Sequence, residues 1–477
     1  MSSLKVGMVG FDITPRFHPT CGAWGSTPTM TELDMPLLAR CIALEQGDCR
    51  LIWFGSDLVG EPVKGTDVFR DEIAGALGLQ RQQVVWSTSQ THSSGAVPGS
   101  LLTGSSICDL SKQDPEFMAA ERKRFMASYV EAGRQAIARL QPARVWAGRG
   151  FCDSMSYNTR FPMPTGGVKF SRHHSEGLQS GKFFDPTIGL VRFDRPDGTP
   201  LGAIFNFCAH PATMINDRMI SPDWVGTARA CIEEAIGGAP AMYCQGFCGD
   251  VNCYHIFGKP PQAKRTGARL GQAAVEALST LIPARGEPLL SEFRTIELQC
   301  QPMPSRAEFE QQLAARQAFI GELQDDPAAT WFCGINVPDQ LNPEQKAAFV
   351  EVQMKYLREG MRLLEAGQSP RKTLPITLGA IRIGDVAAVL SPGENFTETG
   401  SVIRSRSPFV HTLICGDTNG LFGYIGTDEE IERGGYETDS FWKMLYIDGF
   451  RLPLAKGSAG RIIQASLDLL QNLGERA

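Results

Sequence analysis

The sequence predicts a mixed α/β fold, with sheets flanked by helices and one helical hairpin inserted into the pattern. Three observations predict it. Short apolar runs alternate with longer stretches whose apolar residues recur every three or four positions. Several apolar runs stop abruptly in a polar or glycine-rich turn, as strands of open α/β sheets do. Residues 304–368 break the alternation, because Ala, Gln, Glu, Arg and Leu dominate there. No internal repeat and no low-complexity linker divides the chain, so we read 1–477 as one α/β unit carrying an insertion at 304–368.

Taken in order, residues 6–9 read as a first strand that turns at Gly10 and Pro15. Residues 22–29, rich in Gly, Thr and Pro, read as a loop. The runs at 37–44 and 50–55 flank Glu45-Gln46-Gly47-Asp48, a hairpin signal. The second run ends at Asp57, suited to a turn, a cap or a site. A helix follows over 67–77, stopped by Gly78, and then a strand from Val84 that ends in a loop at His92. Residues 96–115 read as loop and 117–140 as a helix with no interrupting proline. After a strand at 145–150, residues 153–182 read as a long polar loop, often a binding loop or lid. It carries Asn158, Arg160, His173 and His174, the two histidines suiting either solvent or a substrate.

Residues 203–208 have the composition of a buried strand. Pro211 cannot donate to a sheet ladder, so that strand is expected to end at about His210. Asp223 suits the N-cap of a helix at 224–237. A strand at 241–247 ends in Cys248-Gly249-Asp250, and a helix covers 267–281. Beyond the two insertion helices, strands return at 376–383 and 386–390, the second ending in Ser391-Pro392-Gly393-Glu394. A helix to about Arg404, a strand at 409–414, a glycine-rich stretch at 416–435 and a closing helix at 457–473 complete the chain.

Composition excludes several classes. Hydrophobic residues make up 42% and charged residues 21%, enough apolar matter for a large core. The net charge is −6 and no basic run occurs, which argues against nucleic acid or an anionic membrane as partner. No run approaches the ~18 apolar residues of a membrane span. The N-terminus lacks a charged segment followed by a long apolar one, so we expect a cytoplasmic protein acting on a small molecule, without membrane insertion. The 13 cysteines read as reduced, mostly buried thiols. Cys244, Cys248 and Cys253 crowd together without the second pair of a structural zinc site.

Four strands end in a group able to bind metal or carry a proton: His92, His210, Asp250 and Glu394. Two histidines and a carboxylate on separate strand ends are what a catalytic zinc with one open position needs. A hydrogen-bonded core histidine is the competing reading for His210, and turn or cap work for Asp250 and Asp223.

Motifs in order carry a resemblance. They are Gly10-Phe11-Asp12-Ile13-Thr14-Pro15, Asp34-Met35-Pro36-Leu37-Leu38-Ala39-Arg40 and Ser89-Gln90-Thr91-His92-Ser93. Cys208-Ala209-His210-Pro211, Ile220-Ser221-Pro222-Asp223 and Gln245-Gly246-Phe247-Cys248-Gly249-Asp250-Val251 follow, then Pro392-Gly393-Glu394, Gly423-Tyr424-Ile425-Gly426-Thr427 and Gly435-Tyr436-Glu437. Over nearly its whole length the chain resembles the neutral/alkaline non-lysosomal ceramidase family. That family hydrolyses the amide of an N-acyl sphingoid base with one zinc. The resemblance implies His210, Glu394 and Tyr424 as zinc ligands and Tyr436 as a group that holds the reacting carbonyl.

The chain departs from that pattern in three places. The family's Thr-His-Thr-His-Ser-Gly places Gln90 on the first histidine, the metal ligand, and His92 on the second, near substrate. A two-residue shift places His92 on the metal instead, the preferred reading because glutamine is a poor zinc donor. Asn252 stands where some members carry a serine, which favours metal-activated water. The secretion signal and C-terminal β-domain of secreted members are lacking, which argues against ceramide itself.

The expected function is therefore a zinc-dependent hydrolase cleaving an amide, or a related acyl or ester bond, of a small soluble substrate. Tyr436, and His92 if it is not a ligand, would stabilise the oxyanion. Asp250 and Asp223 would orient the ligand imidazoles. Gln90, Arg160, His173 and Asn252 are the substrate-contact candidates. Two alternatives keep the scaffold. One is a metal-dependent isomerase or lyase on a sugar-like or hydroxy-acid substrate, its anionic group held by Arg160 and His173. The other is a metal-free binding protein, motivated by Gln90. The insertion at 304–368 would cover the site or join copies of the chain into a homo-oligomer.

Overall fold

The computed structural model describes residues 3–16, 30, 32–95, 97, 115–164, 166–215, 218–331, 337, 341–444 and 449–476. The loops expected at 22–29 and over most of 96–115 lie outside the described residues.

Three larger sheets make the frame. The first runs Val84–Thr88, Cys49–Ser56, Leu38–Gln46, Lys5–Asp12, Gln141–Pro142. The second runs Ala241–Gln245, Pro200–Phe207, Thr187–Asp194, Arg144–Phe151, Ile282–Ala284. The third runs Leu289–Gln299, Thr373–Ile383, Val386–Leu390, His411–Cys415. All three share a design. Most neighbours are antiparallel, but one pair in each is parallel: Cys49–Ser56 with Val84–Thr88, Pro200–Phe207 with Ala241–Gln245, and Val386–Leu390 with His411–Cys415. A parallel pair needs a crossover. The helices Val63–Leu77, Trp224–Ala235 and Thr397–Arg406 supply the three.

The frame is held by one apolar layer to which every sheet contributes. Met8, Ile42, Trp53 and Val85 come from the first, Val191, Ile204 and Met242 from the second, and Ile381, Ala388 and Leu413 from the third. These strands lie in the interior, so they read as unbroken apolar runs rather than alternating ones. The indole nitrogen of buried Trp53 still needs an acceptor and donates to the Ser87 hydroxyl at 2.9 Å.

The carboxyl ends of the three parallel pairs converge. Gln245, fully buried, is the staple: its side-chain amide donates to the Ser89 carbonyl at 3.1 Å and the Ala209 carbonyl at 2.9 Å. Its own carbonyl accepts from the Gly416 amide at 2.9 Å. One residue, through its side chain and its main-chain carbonyl, thus ties strand ends from all three sheets.

Helices found at Pro115–Ala138, Trp224–Ala235 and Ser458–Glu475 match those expected from periodicity. The insertion is a helical pair, Arg306–Asp325 and Pro343–Glu365. Ser305 accepts the Glu308 amide and Asn342 the Gln345 amide at 2.8 Å, so both helices start with a reciprocal capping box. Three expectations change. Residues 153–182 are not a plain loop: they hold strands Ser156–Asn158, Arg160–Pro162 and Val168–Phe170 and the helix His174–Gln179. The strand Leu289–Gln299, missed because its residues are half-exposed and mixed in character, pairs along all of Thr373–Ile383. The strand before His210 stops at Phe207, and His210 forms only a single bridge to Asn252.

Candidate active site

The converging strand ends enclose a cavity of about 70 Å³. His92, His210, Asn252, Tyr424 and Tyr436 face it, and Gly249 lies beneath them. Gly249 is dictated by packing: a Cβ there would lie 2.3 Å from the Glu394 carbonyl oxygen. Phe170, Ile215, Ile256 and Phe257 make apolar wall, with Leu341 and Phe349 added by the insertion. A larger open groove of about 930 Å³ lies between Val63–Leu77 and Pro343–Glu365, but none of the strand-end residues faces it.

His210 is set by its backbone. Its amide and its Nδ1 both bond the Val251 carbonyl, each at 3.0 Å. A carbonyl only accepts, so Nδ1 carries a proton. The other ring nitrogen, Nε2, meets Glu394 Oε2 at 3.2 Å. A contact this close between a ring nitrogen and a carboxylate oxygen holds a proton or a cation. The Glu394 segment pairs directly with that of Tyr424, Glu394 opposite Tyr424. The Tyr424 ring lies 6.2 Å from the His210 ring and 6.1 Å from the Tyr436 ring. The His92 ring is 5.8 Å from that of His210.

Burial shifts the titrations. It pushes the His92 imidazole well below its ordinary value, and His210 beside it adds to the effect, so His92 is neutral. It pushes both tyrosines well above theirs, with Glu394 adding for Tyr424, so both hydroxyls keep their protons at neutral pH. Asp417, in the turn after His411–Cys415, is buried with neither carboxylate oxygen hydrogen-bonded. Burial and then the Glu394 charge push it well above the ordinary carboxylate range.

These buried groups suit a cation: Nε2 of His210 meets the Glu394 carboxylate at 3.2 Å, and the Glu394 charge acts on the buried Asp417 carboxylate. A separation of 3.2 Å between two donors is also what bonds of ~2.0–2.2 Å at a near-tetrahedral angle produce. Among the described residues no three His, Cys, Asp or Glu side chains form a ready-made metal cluster. A metal here would therefore draw on Tyr424 and on the 89–93 segment as well.

That segment holds both first-motif candidates. His92 faces the cavity. Gln90 does not; it is buried in a left-handed conformation, φ 62°, and its side-chain oxygen accepts from the Cys248 thiol at 3.4 Å. Asp250 accepts from the Thr397 amide and Asn158, each at 2.7 Å, and burial raises it to about 7. It braces the turn that presents the Val251 carbonyl to His210. Asp223 accepts from the Trp224 and Met214 amides at 2.7 and 2.9 Å, which is cap and loop work. Asp57 forms a buried ion pair with Arg229.

Arg160 and His173, expected to touch an anionic substrate, are not on the cavity wall. Arg160 is fully buried, and its guanidinium donates to Glu430, Glu437 and the Glu430 and Gly434 carbonyls. It locks the loop that presents Tyr436. His173 is exposed and precedes the short helix His174–Gln179. The ten described cysteines are all free thiols. The sequence reading missed Arg172, Asp417 and the apolar wall. Asp417 repeats the pattern of a strand ending in an acid. Arg172 was hidden beside two histidines in an apparent loop.

No family model and no curated protein sequence matches the chain. Solved structures do. A neutral ceramidase from Pseudomonas aeruginosa superposes with a TM-score of 0.67 at 20% identity, covering 100% of this chain and 75% of that one. A ceramidase complexed with C2 gives 0.68 at 19%, covering 100% and 76%. From end to end, this chain has the fold of the ceramidases.

Proposed function

We propose that the chain is a zinc-dependent hydrolase that cleaves an amide or related acyl bond of a small molecule. The observation that carries this reading is the meeting of His210 Nε2 with Glu394 Oε2 at 3.2 Å beside a cavity that His92, Tyr424 and Tyr436 also face. His210, Glu394 and Tyr424 would hold the metal. The fourth donor would come from the 89–93 segment, where His92 faces the cavity and is the stronger zinc donor. A bound zinc supplies a Lewis acid for the substrate carbonyl and lowers the pKa of water to about 7.

The protein's own groups do the rest. The Tyr436 hydroxyl, kept protonated by burial, donates to the oxygen of the reacting carbonyl as negative charge develops there. The Val251 carbonyl holds the His210 tautomer, and Asp250 braces that turn. Leu341 and Phe349 exclude bulk water, which strengthens these interactions.

Zinc content per chain, measured by mass spectrometry on purified protein, tests the reading. About one zinc in the wild type, lost in His210→Ala and Glu394→Ala, is the expected result. No metal in the wild type after incubation with zinc would refute it and leave a binding protein.

A further inference from the structure

Among the described residues, Asp417 is the one acid whose two carboxylate oxygens are both buried without a hydrogen-bond partner. The residue is 2% exposed. Its main chain, by contrast, is pinned. The Asp417 carbonyl accepts from the Thr88 amide at 3.0 Å and from the Thr88 hydroxyl at 3.3 Å. On either side, the Ser391 amide donates to the Cys415 carbonyl at 2.9 Å and the Thr418 amide to the Ser391 carbonyl at 3.0 Å. The turn packs closely as well, since a Cβ on Gly416 would lie 3.4 Å from the Gly393 carbonyl oxygen. Asp417 is thereby fixed against the segment that carries Glu394. It sits there in a left-handed conformation, φ 45°, which side chains other than glycine adopt uncommonly. Both carboxylates act on one neighbour, the Cys248 thiol. The charge that acts on Asp417 is that of Glu394, a like charge.

An acid buried for structural reasons has hydrogen bonds or a cationic partner to replace water. Asp417 has neither, and its backbone is strained besides, a combination that collects at functional sites. A divalent ion at Glu394 accounts for it: the ion would feel two carboxylates instead of one, in surroundings that screen charge weakly. Resting on the metal site proposed above, we propose that Asp417 is a positioning residue for the divalent ion, raising its affinity through charge alongside Glu394 without entering the ligand set. Direct ligation is set aside because, among the described residues, no three His, Cys, Asp or Glu side chains form a cluster that could hold a metal. Contact with substrate is set aside because Asp417 does not line the cavity.

The test uses full-length protein stripped of metal, with zinc ion as the probe. Asp417→Asn keeps the shape of the side chain, and asparagine tolerates positive φ. Asp417→Gly is a second neutral variant with no steric penalty at that φ. Zinc affinity is measured by competition with a chromophoric chelator, and the melting temperature is measured on metal-free protein. Both variants are expected to bind zinc about tenfold or more weakly than the wild type. Metal-free Asp417→Asn should melt at or above the wild-type temperature, because the amide removes an unpaired buried acid. Zinc affinity equal to that of the wild type in both variants overturns the inference while leaving the metal site standing. So does a metal-free Asp417→Asn that melts well below the wild type, which would make the carboxylate a packing group. A wild type that binds no zinc refutes the metal site and the inference together. Zinc binding that depends on Asp417, without turnover of any amide, supports the inference and refutes the hydrolase reading alone.

Discussion

Replacing Arg160 by methionine separates a positioning role from substrate contact. The side chain is completely buried between Glu430 and Glu437, the latter also bonded by the Thr159 hydroxyl at 2.8 Å. Glu437 directly follows Tyr436. Removing the guanidinium leaves Glu437 as a buried charge and orphans the Gly434 carbonyl. Breaking one side of such a pair costs about 3–5 kcal/mol. The Glu430 carboxylate gives an independent scale. Burial would raise it, but the Arg160 charge and then Lys182 bring it down to about 2 from 4.5. That is about 3 kcal/mol by the usual conversion. Its sign is that of a depressed acid: the stabilisation is complete above pH 4.5 and is lost as pH falls towards 2. With an unfolding entropy of about 2.1 cal/mol/K per residue, 477 residues give ~1 kcal/mol/K, so Tm should drop by about 3–5 °C. Calorimetry at pH 7 measures it. Arg160→Met with Glu437→Leu should recover part of the loss, because an apolar pair avoids the stranded charge. Turnover should fall through kcat as Tyr436 is displaced. An unchanged Tm with a raised KM would refute this account and return Arg160 to the substrate.

Other consequences follow from the same geometry. Tyr436→Phe removes one hydrogen-bond donor aimed at developing charge, so kcat should fall about 10²–10³-fold with KM nearly unchanged, read from steady-state kinetics. In metal-free protein Asp250 is held at about 7 by burial against an ordinary 3.8. The folded state therefore binds the extra proton, and stability should decrease as pH rises from 4 to 7, by up to about 4 kcal/mol. Denaturant titrations across that range check the slope, which Asp250→Asn should flatten. Gln90→His should strengthen zinc binding at least tenfold if the 89–93 segment supplies a ligand through that position, whereas His92→Ala should abolish binding if His92 is the donor. Competition with a chelator distinguishes them. Asn342→Ala removes the cap of the second insertion helix and should cost about 1 kcal/mol in a melting experiment.

The fold class was legible because it is written in local pattern. Apolar runs such as 203–208 and 241–247, bounded by turn signals, read as interior strands, and periodic stretches such as 117–140 read as amphipathic helices. The turns after the strands were legible from Pro211 and Gly249, which placed His210 and Asp250 just beyond strand ends, although the strands themselves stop earlier, at Phe207 and Gln245. The half-exposed strand Leu289–Gln299 escaped because its pairing with Thr373–Ile383 spans an insertion, and nothing local announces a partner so distant.

Which strand ends meet is a matter of three dimensions. His210 and Glu394 are 184 positions apart and touch only because three separate parallel pairs point inward and Gln245 ties them together. The roles of the two arginines were likewise invisible in sequence. Arg160 and Arg172 lie twelve positions apart in the same polar stretch, and charge alone cannot tell them apart. One is neutralised by glutamates that arrive from residues 430 and 437; the other is clamped by phenylalanines 170 and 257 on the wall of the cavity. A residue's type sets what it can bind, whereas long-range packing sets which partners it meets.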